Sequence, residues 1–206
     1  PGGEPVELRV RLELKLLADV GLLGFPNAGK STLISRISNA RPKVADYPFT
    51  TLVPNLGVVS VGTEYSFVVA DIPGLVSGAS EGVGLGLQFL KHVERCSFLL
   101  HLVSVMEIGE ALEDPLERYT ALCGELESFS AELAARDQIV VLTKVDLLSA
   151  AELQEISARF ESVLGHPPLV LSSVTGRGVD VLIQACGERL RSMLEESEGS
   201  ADEPSV

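Results

Sequence analysis

A doubly wound α/β sheet, six-stranded, mostly parallel and covered by helices on both faces, is the fold this sequence predicts. Three observations carry it. Five compact apolar runs recur along the chain: "LLADVGLLGF", "FVVAD", "SFLLHLVSV", "QIVVLT" and "PLVLSS". Strands buried on both faces read this way, because no polar alternation is required of them. Segments of helical length stand between the runs, at 29–38, about 83–95, 115–136, 150–164 and 178–196. The third observation is "NLGVVSV", then "GT", then "EYSFVVAD". A two-residue Gly-containing connection between strands predicts a hairpin, so one strand runs antiparallel. In such a sheet, ligands sit at the carboxyl ends of the strands.

Taken in chain order, residues 6–16 come first. "VELRVRLELKL" alternates apolar at even positions with charged at odd ones, the period of a half-buried strand. A strand with one apolar face needs a sheet to cover it, so residues 1–17 are expected to be a remnant strand and linker of a domain lying upstream. An edge strand of the same domain is the alternative. Residues 18–196 hold the sheet. Within them, "EDPLERYTALCGELESFSAEL" places Leu116, Leu122, Leu126 and Phe129 along one side, as an amphipathic helix does. From Ser197 the chain is polar and acidic, and 197–206 is expected to be a disordered tail.

Bulk properties narrow the function. At 206 residues and 46% hydrophobic content, the chain suits one domain with a sizeable core. No apolar run is long enough to span a bilayer, and no charged-then-apolar leader opens the chain. A soluble, cytoplasmic protein is the expectation. Cys96, Cys123 and Cys186 lack paired spacing, and His92, His101 and His166 lack metal spacing, so neither a disulfide framework nor a zinc site is suggested. A net charge of −13 argues against a domain that grips nucleic acid by its phosphates.

The chemistry begins at "GFPNAGKS": Gly24, Phe25, Pro26, Asn27, Ala28, Gly29, Lys30 and Ser31, followed by Thr32. It matches G-x-x-x-x-G-K-[ST], between a strand and a helix. The glycines let the backbone curl so that successive N–H groups face phosphates, at the positive end of the next helix. Lys30 is placed to reach the outer phosphates, and the Ser31 hydroxyl to bind Mg²⁺. "ADIPG" supplies Asp71, Ile72, Pro73 and Gly74. Asp71, ending a buried strand, suits Mg²⁺ held through a water, and the Gly74 N–H suits a γ-phosphate. Between them, "KVADYPFTTLVPN" contains Phe49, Thr50, Thr51, Leu52 and Val53. Either threonine could complete the Mg²⁺ shell, and position alone does not choose between them.

"VVLTKVD" sets Thr143, Lys144, Val145 and Asp146 at a strand end. A carboxylate there accepts from both N1–H and the 2-amino group of guanine, whereas adenine leaves it unpaired. The Lys144 stem can cover the base. "LSSVTG" ends the last strand with Ser172, Ser173 and Val174, where the Ser173 N–H can meet the guanine carbonyl.

These motifs together resemble the G domain of the Obg (CgtA) GTPases. The stretches that carry the likeness are "LELKLLADVGLLGFPNAGKSTLISRISNARPKVADYPFTTLVPNLGVV", "ADIPGLVSGASEGVGLGLQFLKHVERC", "TKVD" and "SSVTGRG". They cover residues 12 to about 190, and the glycine-rich second stretch is the most specific. The resemblance implies a Ras-like P-loop NTPase sheet, GTP and GDP binding, and a role in large ribosomal subunit maturation. It also implies sensing of guanosine tetraphosphate, Thr51 as the Mg²⁺ threonine, and Val6 to Leu16 as the last strand of an N-terminal Gly-rich domain.

Three departures from that family stand out. Thr143 replaces an asparagine that braces the phosphate loop, which predicts weaker affinity without a change of base. Ser172-Ser173 replaces a Ser-Ala pair, with little expected effect. Ser104 replaces a common Asp, with no expected consequence. Leu75 follows Gly74 where the reference GTPases carry a water-orienting Gln. Slow hydrolysis is therefore expected, from Mg²⁺ and the loop alone or with an added cation. Asn27 resembles the asparagine that helps bind K⁺ in potassium-stimulated GTPases; a polar residue suited to a tight turn is the equal alternative. Lys30, Thr51, Gly74 and Asn27 are thus the candidate catalytic groups. Glycines 78, 82, 84 and 86 suggest a segment that orders with the γ-phosphate, and His92 and Arg95 after it suggest partner-facing or capping roles.

Overall fold

The computed structural model describes residues 18–39, 43–44, 55–63, 65–71, 96–106 and 114–201. The strand expected at 6–16 and the helix expected at 83–95 lie outside these residues. Seven strands form one sheet: β1 (Val20–Leu23), β2 (Lys43–Val44), β3 (Asn55–Val61), β4 (Tyr65–Asp71), β5 (Phe98–Ser104), β6 (Gln138–Thr143) and β7 (Leu169–Leu171), in the order β2-β3-β4-β1-β5-β6-β7. The six expected strands are present, and the two-residue β2 extends the edge beside β3. β3 runs antiparallel to both its neighbours, and the other pairings are parallel. The hairpin pairs Val61 with Tyr65, so its connection is residues 62–64, one residue longer than expected, and Gly62 takes a φ of 65°.

Five helices accompany the sheet among the described residues: α1 (Lys30–Ile37), α2 (Pro115–Phe129), α3 (Ala131–Ala134), α4 (Ala150–Leu164) and α5 (Val179–Ala201). On one face, Leu33, Ile34 and Ile37 of α1 and Leu182, Cys186 and Leu190 of α5 pack on Leu22, Phe67, Leu100 and Leu102. On the other, α2 and α3 bury Leu122, Leu126 and Leu133 against Leu23 and Leu99, while Leu153 and Phe160 of α4 cover Val103, Val140 and Leu142. Every residue of β5 is buried. That two-sided burial explains its apolar run, with His101 and the terminal Ser104 the polar exceptions. Each fully buried Leu or Phe contributes ~2 kcal/mol, which holds the strands that carry the loops described below.

Local chemistry sets the helix ends. Asp114 caps α2 by accepting from the Leu116 N–H at 2.7 Å, with Pro115 in the first turn. The helix expected over 115–136 is broken at Ser130. Its extended backbone (φ −159°, ψ 120°) ends α2, and its hydroxyl caps α3 by accepting from the Leu133 N–H at 3.2 Å. Ser149 and Glu152 form a reciprocal capping box on α4, which Gly165 terminates in the left-handed region. α5 continues through Ala201, five residues into the segment expected to be a disordered tail. No helix among the described residues is long and apolar enough to cross a membrane.

β1 lies inside the sheet, between β4 and β5. The chain leaves β1 towards β2, β3 and β4 and later builds β5, β6 and β7 on the other side. The loop after β1 therefore opens at the switch point where the strand order reverses, which is where such sheets bind ligands.

Candidate functional site

The loop from Gly24 to Gly29 turns on three residues with positive φ: Gly24 (151°), Asn27 (63°) and Gly29 (95°). Gly24 also packs directly on β5, where a Cβ would sit 2.6 Å from the Leu102 carbonyl oxygen. Glycine is required there for both reasons. The Ala28 N–H donates to the Phe25 carbonyl at 3.1 Å, closing the turn. Lys30, first residue of α1, folds back over the loop and donates to the carbonyls of Gly24 (2.8 Å) and Phe25 (3.1 Å). Its ammonium is thereby held above the loop at the helix N-terminus, a position where an anion is favoured.

Ser31 donates from Oγ to Oδ2 of Asp71 at 3.0 Å, bringing together residues 40 apart in sequence. Asp71, at the end of β4, is only 7% exposed, and its Oδ1 is buried without a hydrogen-bond partner among the described residues. An orphaned buried acceptor costs ~1–3 kcal/mol. A hydroxyl beside a carboxylate oxygen in need of a positive partner fits a hard, oxygen-seeking divalent cation.

At the other end, Lys144 adopts φ 62° and starts a 3-10 turn over Val145–Leu147 that carries Asp146. The β7 loop folds on itself. Ser172 Oγ accepts from the Thr175 N–H (3.1 Å), and the Ser172 carbonyl accepts from the Gly176 N–H (2.9 Å).

A single cavity of about 650 Å³ joins these parts. Asn27, Gly29, Lys30, Ser31 and Thr32 line it from the phosphate loop; Thr143, Lys144 and Asp146 line it from β6; Ser173 and Val174 line it from the β7 loop. Cavities of this volume suit a nucleotide-sized ligand. Three motifs, the first more than a hundred residues from the other two, therefore share one pocket. The side chains of Val145 and Ser172, also expected at the site, are fully buried beneath it and hold the loops in place. Phe49, Thr50, Thr51, Leu52, Val53, Ile72, Pro73, Gly74 and Leu75 lie outside the described residues.

Two features escaped the sequence reading. Leu147, 53% exposed, lines the cavity together with Val174, 76% exposed; an apolar residue after T-K-x-D is the available signal. More telling is Thr143. Its hydroxyl donates to the Ala28 carbonyl at 2.7 Å, and the residue is only 2% exposed. The expected loss of the brace is thus corrected: the threonine ties β6 to the phosphate loop. Ser104 is likewise engaged, donating from Oγ to the Met106 carbonyl at 2.8 Å and accepting at its own carbonyl from Arg118. Beside it, His101 is buried against the Tyr119 ring (centroids 4.8 Å apart) and 3.3 Å from Gln138 Oε1. Burial pushes its imidazole down to about 4, against the opposing effect of the Gln138 contact.

A family model described as 50S ribosome-binding GTPase matches residues 19–144. A protein named GTPase Obg from Bdellovibrio bacteriovorus is 53% identical, over 96% of this chain and 59% of its own length. A GTPase Obg from Roseiflexus castenholzii is 55% identical, over 93% of this chain and 43% of its own. The chain spans about half the length of the curated relatives it matches. Among solved structures, the G domain of the T. maritima FeoB iron transporter superposes with a TM-score of 0.57 at 21% identity, covering 82% of this chain and 96% of that one. The cytosolic domain of the same transporter in its GMPPNP form gives 0.60 at 21% identity, over 83% and 63%. At such identities the likeness concerns the fold.

Proposed function

Because the chain belongs to the family of 50S ribosome-binding GTPases, we propose that it binds GTP and GDP with Mg²⁺ and hydrolyses GTP slowly to GDP and phosphate, acting as a nucleotide-dependent switch in large ribosomal subunit assembly in the cytoplasm. The observation that carries this reading is the cavity in which Asp146 at one end and Lys30 at the other line a common space. Asp146 selects guanine through its two donors, with the Lys144 stem over the ring. The loop N–H groups and Lys30 hold the phosphates. Ser31 and Asp71, with Thr51, hold Mg²⁺, which when bound neutralises charge on the outer phosphates. Gly74 meets the γ-phosphate.

Leu75 cannot orient water, so the rate is low without help. Asn27 takes the left-handed region and lines the cavity, and on this reading it holds K⁺ beside the phosphates. Hydrolysis should then be faster in K⁺ than in Na⁺, and Asn27→Ala should abolish the difference; equal rates in the two salts would exclude this role.

Leu75 also favours a second reading, a guanine-nucleotide sensor (guanosine tetraphosphate included) in which hydrolysis is incidental. Single-turnover GTP hydrolysis, with and without large ribosomal subunits and with a chain of its relatives' full length, separates the two. Strong stimulation by the subunit supports the switch. No stimulation, with tight binding of guanosine tetraphosphate, supports the sensor.

A further inference from the structure

Behind the phosphate loop lies a buried arginine that is not among the residues lining the large cavity. Arg118 projects from α2, is 3% exposed, and donates from Nη2 to the Ser104 carbonyl at the end of β5. Together with Phe25 and Ala28 of the loop it also lines a cavity of only about 10 Å³, room for about one water. Arg118 and the loop thus border a common space with room for little more than that water. From Ser104 a connected path continues to the loop. Ser104 stands opposite Thr143 in the β5–β6 register, the Val105 N–H donates to the Thr143 carbonyl at 3.0 Å, and Thr143 Oγ1 donates to the Ala28 carbonyl at 2.7 Å.

We propose that Arg118 is a positioning residue for nucleotide binding, fixing the Ser104–Thr143 strand ends that hold the phosphate loop at Ala28 and closing the space behind that loop. Its planar guanidinium suits this role. Several donors in fixed directions can pin a strand end that a single flexible ammonium would hold loosely. The inference rests on the guanine-nucleotide reading above, and it concerns the phosphates rather than the base. Its effect should appear in proportion to the contacts a ligand makes with the loop.

The test is a double-mutant cycle on nucleotide affinity, with GDP and GMP as probes and thermal unfolding of each nucleotide-free variant recorded in parallel. Arg118→Met removes the donors; Arg118→Lys keeps a donor and the charge, and serves if the methionine variant fails to fold. Each Arg118 variant should weaken GDP about fivefold to tenfold while GMP, which lacks the outer phosphate, changes by less than about twofold, with lysine the milder of the two. Combined with Thr143→Val, the loss should be clearly smaller than the product of the single losses, because both act along one path. Equal losses for GDP and GMP, purely multiplicative losses, or wild-type GDP affinity in a folded Arg118→Met protein would each overturn the assignment. Failure of the wild-type protein to bind GDP would instead refute the guanine-nucleotide reading.

Discussion

Replacing Thr143 with valine would test the brace that joins the end of β6 to the loop after β1. Valine keeps the β-branch and nearly the same volume in a position that is 2% exposed, so the packing of β6 is preserved. What disappears is the hydroxyl that donates to the Ala28 carbonyl at 2.7 Å. A buried neutral hydrogen bond is worth ~1 kcal/mol net, and an acceptor left buried without its donor costs ~1–3 kcal/mol. Without nucleotide, the loop can move to wet the carbonyl, which lowers stability. With nucleotide, the loop must return to its bound shape against that cost. A cost of ~1–2 kcal/mol corresponds to a rise of about 5- to 30-fold in the dissociation constant for GDP. Titration with a fluorescent GDP analogue in Mg²⁺, alongside thermal unfolding without nucleotide, measures both parts. Thr143→Ser, which keeps the hydroxyl, should retain most of the affinity. A Thr143→Val protein with wild-type GDP affinity and an unchanged unfolding midpoint would refute the reasoning.

Other perturbations follow from the same geometry. In Gly24→Ala the new Cβ would meet the Leu102 carbonyl at 2.6 Å at a φ of 151°, so loop and strand must separate; GDP affinity should fall at least about tenfold, and unaltered binding would contradict the close packing. Ser31→Ala removes the hydroxyl beside Asp71, so the tightening of GDP binding on adding Mg²⁺ to chelator-treated protein should largely vanish. For His101, held neutral down to about pH 4 in the folded chain, the unfolded chain takes up the proton first. Its contribution is fully present above about pH 6.5 and is lost as pH falls towards 4, so urea unfolding should show ~2 kcal/mol less stability from this group at pH 5 than at pH 7. His101→Gln should flatten that part of the profile, and an unchanged slope would count against a buried neutral imidazole. Asp114→Ala, which uncaps α2, should cost ~1 kcal/mol in the same unfolding assay; its exposed partner Arg159 adds little.

Much of the architecture was legible because burial on both faces leaves a plain mark. The runs around Leu99 and Val141 contain almost nothing polar, and Gly24 to Ser31 allow few backbone shapes other than a phosphate nest. Where reading failed, a side chain had a choice that sequence does not display. Ser130 could have continued a helix, yet its hydroxyl caps the next one. Thr143 reads as a lost brace because it lacks the amide of an asparagine; its hydroxyl reaches Ala28 only because β6 ends directly behind the loop. Arg118 reads as one more charge on an amphipathic helix, and nothing local says that it turns inward to Ser104. Polar residues at strand ends and on inward helix faces depend on tertiary register, which apolar periodicity cannot supply. The ten-residue acidic stretch after Glu196 misled for a related reason, since its first five residues simply prolong α5.

If the phosphate loop, β6 and the β7 loop assemble a guanine pocket, base discrimination at Asp146 is its sharpest test. Affinities for GDP, GTP, ATP and xanthosine diphosphate should be compared between the wild-type protein and Asp146→Asn, with melting curves confirming that both are folded. The wild type should bind GDP and GTP tightly, with no effective competition by ATP. Asp146→Asn should lose GDP affinity while gaining for xanthosine diphosphate, whose 2-oxo group accepts from the new amide. ATP competing as well as GDP, or unaltered GDP binding by a folded Asp146→Asn protein, would contradict a guanine pocket.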